Sequence, residues 1–130
     1  MLPIYIFLLF FLALLIGFNA GIGGKPRIVW GSTPIINNSY WSRALRLEGF
    51  VSETFTTMYY ENINCRSDWD RIIDEEYKGF PKMVKRLVAF PCSLIRYDVF
   101  VIPFSGFFIG DYPVLGSMQS FFFKLAKKKV

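Results

Sequence analysis

Residue types able to do chemistry are sparse in this chain and fall in two places. The first is Gly31-Ser32-Thr33-Pro34, with Asn37-Asn38-Ser39 close behind it, where hydroxyls and carboxamides suit sugar or phosphate oxygens. The second is Asp68-Trp69-Asp70, a carboxylate pair with the spacing that can hold a divalent metal against a diphosphate. Such a pair has to leave the end of a buried strand and aim into a cleft. Here Ser67-x-x-Asp70 has capping-box-like spacing, with Ile72 and Ile73 behind it, which puts the acids in the first turn of a helix where the helix dipole favours negative charge. Structural acids and no metal site are expected, with Glu75 and Glu76 continuing a solvated face.

What the chain lacks removes several chemistries. With no histidine there is no Ser-His-Asp or Cys-His machinery and no imidazole base, and a zinc site would be without its usual nitrogen ligand. Cys65 and Cys92 form no CxxC pattern; they are expected as free buried thiols, and as one disulfide only in an exported protein. The net charge of +5 owes much to the terminal run Lys124, Lys127, Lys128 and Lys129, so charge is not spread over a face as nucleic-acid binding needs. No nucleic-acid partner is expected, while a membrane surface remains open.

The elements that must position the first cluster read as alternating strands and helices. Ile28, Val29 and Trp30 form a short apolar strand that Gly31 to Pro34 interrupts. Asn38 or Ser39 can cap the following helix, with Trp41, Ala44 and Leu45 on its apolar face, Arg43 and Arg46 off it, and Gly49 ending it. A second strand is expected over residues 52–58, a polar connector over 59–66, and a helix after Ser67. The spacing over 82–96 is helical, with Pro91 expected to kink or split it. Residues 98–102 read as a central strand buried on both faces, 103–110 as a loop, and 114–126 as a further helix. Lys127 to Val130 looks like the approach to another strand, so the domain is expected to be incomplete.

Ligands of open α/β sheets bind beyond the carboxyl ends of the strands. That rule selects the loops 31–38 and 104–110, and within them Gly31, Ser32, Thr33, Asn37, Asn38, Ser105 and Gly106 as candidate binding residues. The simpler alternative for the first loop is that it only makes the turn and caps the helix. Tyr40 and Trp41 could stack on a sugar ring, although aromatics at helical spacing more often enter a core.

The first 24 residues carry no charged side chain and are close to the roughly 20 needed to cross a bilayer as a helix. A basic start is missing, and Lys25 and Arg27 follow directly, which favours a retained anchor with the following domain on the cytoplasmic face. Cleavage as a signal peptide with export, or an internal hydrophobic helix, are the alternatives. The 15 phenylalanines, many of them between residues 100 and 123, also suggest apolar surface awaiting a partner or a membrane.

Four blocks carry a family resemblance: W-G-S-T-P-I-I-N-N-S-Y-W-S-R-A-L from Trp30 to Leu45, E-G-F-V-S-E-T from Glu48 to Thr54, R-Y-D-V-F-V-I-P-F from Arg96 to Phe104, and K-L-A-K-K-K-V from Lys124 to Val130. Together they make residues 25–130 resemble the N-terminal domain of bacterial GT-B-type glycosyltransferases. The resemblance implies a Rossmann-like parallel sheet, one half of a GT-B fold, that contributes the acceptor side of a cleft. A sugar acceptor would bind here, while the nucleotide-sugar would sit on a C-terminal domain that carries the paired acidic residues and that this sequence does not include. No cofactor is implied. The competing expectation is a non-catalytic, membrane-anchored interaction protein.

Overall fold

A computed structural model describes residues 1–20, 23–62, 65–102 and 113–130. The chain opens with helix α1 (Leu2–Asn19), followed by strand β1 (Arg27–Trp30), helix α2 (Ile36–Leu47) and strand β2 (Val51–Thr56). A single 3-10 turn (Arg66–Asp68) leads into the short strand β3 (Arg71–Ile72) and helix α3 (Ile73–Glu76). Helix α4 (Lys82–Arg96), strand β4 (Val99–Val101) and helix α5 (Pro113–Leu125) complete the described chain.

The four strands form one sheet in the order β3-β2-β1-β4, with every neighbouring pair parallel. The chain therefore winds outward from β1 to β3, then returns through α4 to place β4 on the other side of β1. That is Rossmann-like winding, with its switch point between β1 and β4. Beyond α5, Lys129 bridges Val99 in parallel, and the Phe100 amide donates to the Lys129 carbonyl at 2.8 Å. The last residues thus begin to pair along the outer edge of β4, as the sequence suggests.

The two faces of the sheet are built differently. Val29, Phe55 and Phe100 point to one face, where Phe90, Leu94 and Tyr97 of the α4 region and Leu115, Phe122 and Phe123 of α5 complete a dense apolar core. Edge-on ring packing of Phe123 against Phe90 (centroids 5.6 Å apart) and its tilted contact with Phe100 (4.7 Å) tie α4, α5 and β4 together. On the other face, Ser52, Thr54 and Thr56 of β2 are buried under Asn38, Ser39 and Ser42 of α2. The Ser42 and Ser52 hydroxyls hydrogen-bond at 2.9 Å, and the Trp30 indole N–H donates to the same Ser52 oxygen at 2.9 Å. The Ser42 and Ser52 hydroxyls and the Trp30 indole satisfy one another, so their burial costs little.

Several sequence expectations need correction. Helix α2 begins before Asn38, with Ile35 at its N-cap and no side-chain cap bond, so Asn38 and Ser39 are buried inward-facing residues of the helix and not caps. Trp41 and Ala44 are exposed and Leu45 half-buried, because the helix presents its small polar face to the sheet. In place of a helix after Ser67 stands the 3-10 turn, whose capping box joins Cys65 and Asp68, and helix formation waits until Ile73. Cys65 and Cys92 are free but exposed, not buried.

Helix α4 runs unbroken through Pro91. Proline supplies no N–H to the carbonyl four residues back, which is that of Leu87. The Tyr5 hydroxyl of α1 donates to that carbonyl at 2.8 Å. α1 therefore fills the bond that Pro91 removes.

Candidate functional site

The amino and carboxyl edges of the sheet have distinct chemistry. At the amino edge, the Asp98 carboxylate accepts the Arg27 amide (2.9 Å) and Arg27 Nε (3.3 Å), and lies 3.5 Å from Lys128 Nζ. Its own amide donates to the Arg27 carbonyl at 2.8 Å, so one residue fastens the starts of β1, β4 and the final segment. Burial pushes the Asp98 carboxyl up, but the Arg27 bonds and the Lys128 charge outweigh it and hold its pKa below the ordinary value. A cleft of about 790 Å³ opens here, lined among others by Leu15, Asn19, Lys25, Arg27, Asp98 and Lys128. It lies at the edge opposite to the one where parallel sheets bind their ligands.

At the carboxyl edge, the connection from β1 to α2 brings Gly31, Ser32, Thr33, Asn37 and Asn38 into one loop and helix start. The Gly31 amide donates to the Val101 carbonyl at 3.2 Å, which carries the β1–β4 ladder one residue further. A methyl group at Gly31 would overlap the Phe55 carbonyl oxygen and come 2.7 Å from Phe55 ring carbons, so this approach admits only glycine. Ser32 is buried, and its carbonyl accepts the Thr56 hydroxyl at 3.1 Å. Thr33 is half-buried, and its carbonyl accepts Asn38 Nδ2 at 3.3 Å. Asn37 is exposed at the first turn of α2, whereas Asn38 is fully buried, with its Oδ1 left without a partner among the described residues. An unpaired buried carbonyl of this kind calls for a donor, which a hydroxyl-bearing ligand or an ordered water can supply. Trp41 lies over Trp30 with ring centroids 5.4 Å apart and keeps about half its surface exposed. Ser105 and Gly106, the candidates on the loop after β4, lie outside the described residues.

Thr56 is a residue of this edge that the sequence reading left unmarked. It ends β2 and ties the loop to the sheet by donating to Ser32, a role signalled only by its place at the close of a threonine-rich strand. The Asp68-Trp69-Asp70 acids serve the backbone. The Asp68 carboxylate accepts the Cys65 amide (3.0 Å) and pairs with Arg43, while Asp70 accepts the Thr54 amide (2.8 Å) and hydroxyl (3.1 Å) and the Arg46 guanidinium. Among the described residues no group of three or more acidic, cysteine or histidine side chains could hold a metal.

One further titratable cluster lies on the core-facing side of the sheet. The Tyr97 hydroxyl donates to the Glu53 carboxylate, which also accepts Arg96 Nη2 at 2.8 Å, while Arg71 makes a two-bonded pair with Glu76 at 2.8 and 2.7 Å. Burial, and then the bond to Glu53, push the Tyr97 phenol up to about 12. The phenol is thereby kept protonated as a fixed donor that joins β2 to the end of α4. No family model, no curated protein and no solved structure matches this chain.

Proposed function

We propose that this protein is the acceptor-side half of a glycosyltransferase of the GT-B type, which moves a sugar from a nucleotide-sugar donor and works with a second, donor-binding domain. The observation that carries it is the position of the polar Gly31–Asn38 connection at the carboxyl edge of β1, directly beside the β1–β4 switch point where open parallel sheets take ligands. The resemblance adds to this, since its longest block covers the end of β1, this loop and most of α2. Gly31, Ser32, Thr33, Asn37 and Asn38, with Ser105 and Gly106 from the other loop, are the residues proposed to contact the acceptor. The reaction needs neither a metal nor a cofactor from this half. α1 holds the protein at a membrane with the α/β domain on the cytoplasmic side; it is long and apolar enough to cross one, at 18 residues and a mean hydropathy of 2.4.

Titration of the isotope-labelled full chain with an alkyl glycoside, and separately with a nucleoside diphosphate sugar, tests this by amide chemical shifts. Shifts at residues 31–38 with the glycoside, and none with the nucleotide sugar, are expected. Binding of the nucleotide sugar at this loop, or no response to any glycoside, would overturn the assignment. The exposed apolar side chains Ile36, Tyr40 and Leu47 of α2 favour a second reading, a non-catalytic membrane-anchored interaction protein. Capture of a membrane protein through α2 by a chain that is silent to sugars would select it.

A further inference from the structure

Helix α1 has two apolar faces with different employment. The inner one is the stripe Tyr5, Leu9, Ala13 and Gly17, spaced four apart, and it is seated on α4 and α5. Its fit is specific at both ends. Near the start, Tyr5 satisfies the Leu87 carbonyl that Pro91 leaves open. Near the end, Gly17 lies so close to the Leu125 carbonyl that any added side-chain carbon would overlap it. Leu9 and Ala13 between them are fully buried in the main core.

The outer face is the stripe Ile4, Phe7, Leu8, Phe11, Leu15 and Phe18, with exposures from 49% at Phe11 to 82% at Phe18. Phe121 of α5, 48% exposed, stacks beside Phe10 and widens the patch across the helix boundary. Between the two helices runs an apolar groove of about 440 Å³ lined by Ile6, Phe10, Met118 and Phe121 among others. The cations gather at one end of this surface. Gly17 meets Leu125, so the exposed Lys124, Lys127 and Lys129 lie near the C-terminal end of α1, where Lys25 is exposed as well.

We propose that α1 does not cross the bilayer but lies in the plane of one leaflet while docked on the domain, its outer stripe in the acyl region and the lysines on anionic headgroups. A seated α1 cannot span, because α4 and α5 would follow it into the hydrocarbon with Lys82, Lys85, Arg86 and Lys124. An interfacial helix normally has one apolar and one polar face. Here the domain takes the place of the polar face, which explains why α1 is apolar all round. The chosen occupant is a bilayer and not a second copy, because the apolar stripe itself is uncharged and the groups around its C-terminal end are mostly cations, Lys25, Arg27, Lys127, Lys128 and Lys129. The one carboxylate among them, Asp98, is already paired to Arg27 and Lys128, which leaves an excess of positive charge that an anionic lipid surface complements. This refines the membrane placement proposed above and holds whatever reaction the domain performs.

The test uses the full chain with a short polar extension bearing a cysteine before Met1, bound to sealed vesicles of equimolar phosphatidylglycerol and phosphatidylcholine. Labelling by a membrane-impermeant maleimide is compared with that of native Cys65, which is exposed on the domain. Equal labelling of the extension and Cys65 in intact vesicles is expected. Labelling of the extension only after lysis would overturn the proposal, as would recovery from cells of a mature chain lacking α1. The triple variant Phe7→Gln, Leu8→Gln, Phe11→Gln is expected to stay folded by circular dichroism and to bind these vesicles at least tenfold more weakly. If it instead dissolves a dimer and leaves vesicle binding unchanged, the outer stripe belongs to a second copy and the proposal fails. None of these readouts involves a sugar, so failure here and failure of the transferase assignment are separable.

Discussion

Tyr5 and Pro91 lie 86 positions apart in the chain, yet share one hydrogen-bonding problem. The Leu87 carbonyl has no helical donor because Pro91 has no N–H, and the Tyr5 hydroxyl supplies one. Replacing Tyr5→Phe is expected to cost about 1 kcal/mol in urea unfolding, the usual worth of such a bond plus the exposed need of its acceptor. In a Pro91→Ala background the helix supplies its own donor, so the same substitution should cost close to nothing, and the double-mutant cycle should show coupling of about 1 kcal/mol. Asp98 makes a prediction with a sign. Its folded pKa is depressed, so its contribution is present above the ordinary carboxyl range near pH 4 and is lost as pH falls through the lower folded value. Asp98→Asn should therefore be less stable than the parent at pH 7, with the gap closing in acid. Because the Asp98 side chain is 41% exposed, solvent screening limits the neutral-pH gap to about 0.5 kcal/mol.

At the scale of elements, the segment from Cys65 to Ile73 shows how carboxylates build structure by accepting from backbone amides. Asp68 closes the 3-10 turn and Asp70 docks it on β2 by accepting from both the amide and the hydroxyl of Thr54, while Arg46 reaches the same carboxylate from α2. Asp70→Ala is expected to lower stability by about 2 kcal/mol, since it leaves a half-buried amide and a guanidinium without their acceptor. Millimolar Mg²⁺ or Mn²⁺ should leave the melting temperatures of both proteins unchanged; a metal-dependent rise in the parent alone would restore the metal-site reading. Helix α2 teaches a related lesson about faces. Apolar spacing pointed to Trp41, Ala44 and Leu45 as the inward face, but the sheet opposite is Ser52, Thr54 and Thr56, and hydroxyls pair best with hydroxyls. The presence of the helix and its end before Gly49 were legible from the sequence, while its start at Ile36 was not and its rotation depended on the partner strand.

Across the whole molecule, stability is concentrated on the aromatic side of the sheet. Phe123 is 3% exposed and touches the rings of both Phe90 and Phe100, so Phe123→Ala should cost about 3–5 kcal/mol by calorimetry or urea unfolding. Leu47→Ala, at 88% exposure, should stay within about 0.5 kcal/mol. By itself the sequence determined the local items: runs at 28–30 and 98–102, apolar but for Asp98, that read as strands, the helical spacing of 82–96, and the glycine that opens the loop after β1. Each of these follows from periodicity or backbone sterics, which act over a few residues. The expectation that the second run is a central strand buried on both faces is corrected, since β4 ends the described sheet and only Phe100 of its three residues is buried. The tertiary structure alone decided the strand order, the inward turn of the polar face of α2, the backbone duty of Asp68 and Asp70, and the seating of α1 on α4 and α5. Those outcomes rest on contacts between segments distant in the chain, such as Tyr5 with Leu87 and Arg27 with Asp98, and no local pattern encodes which distant group will arrive.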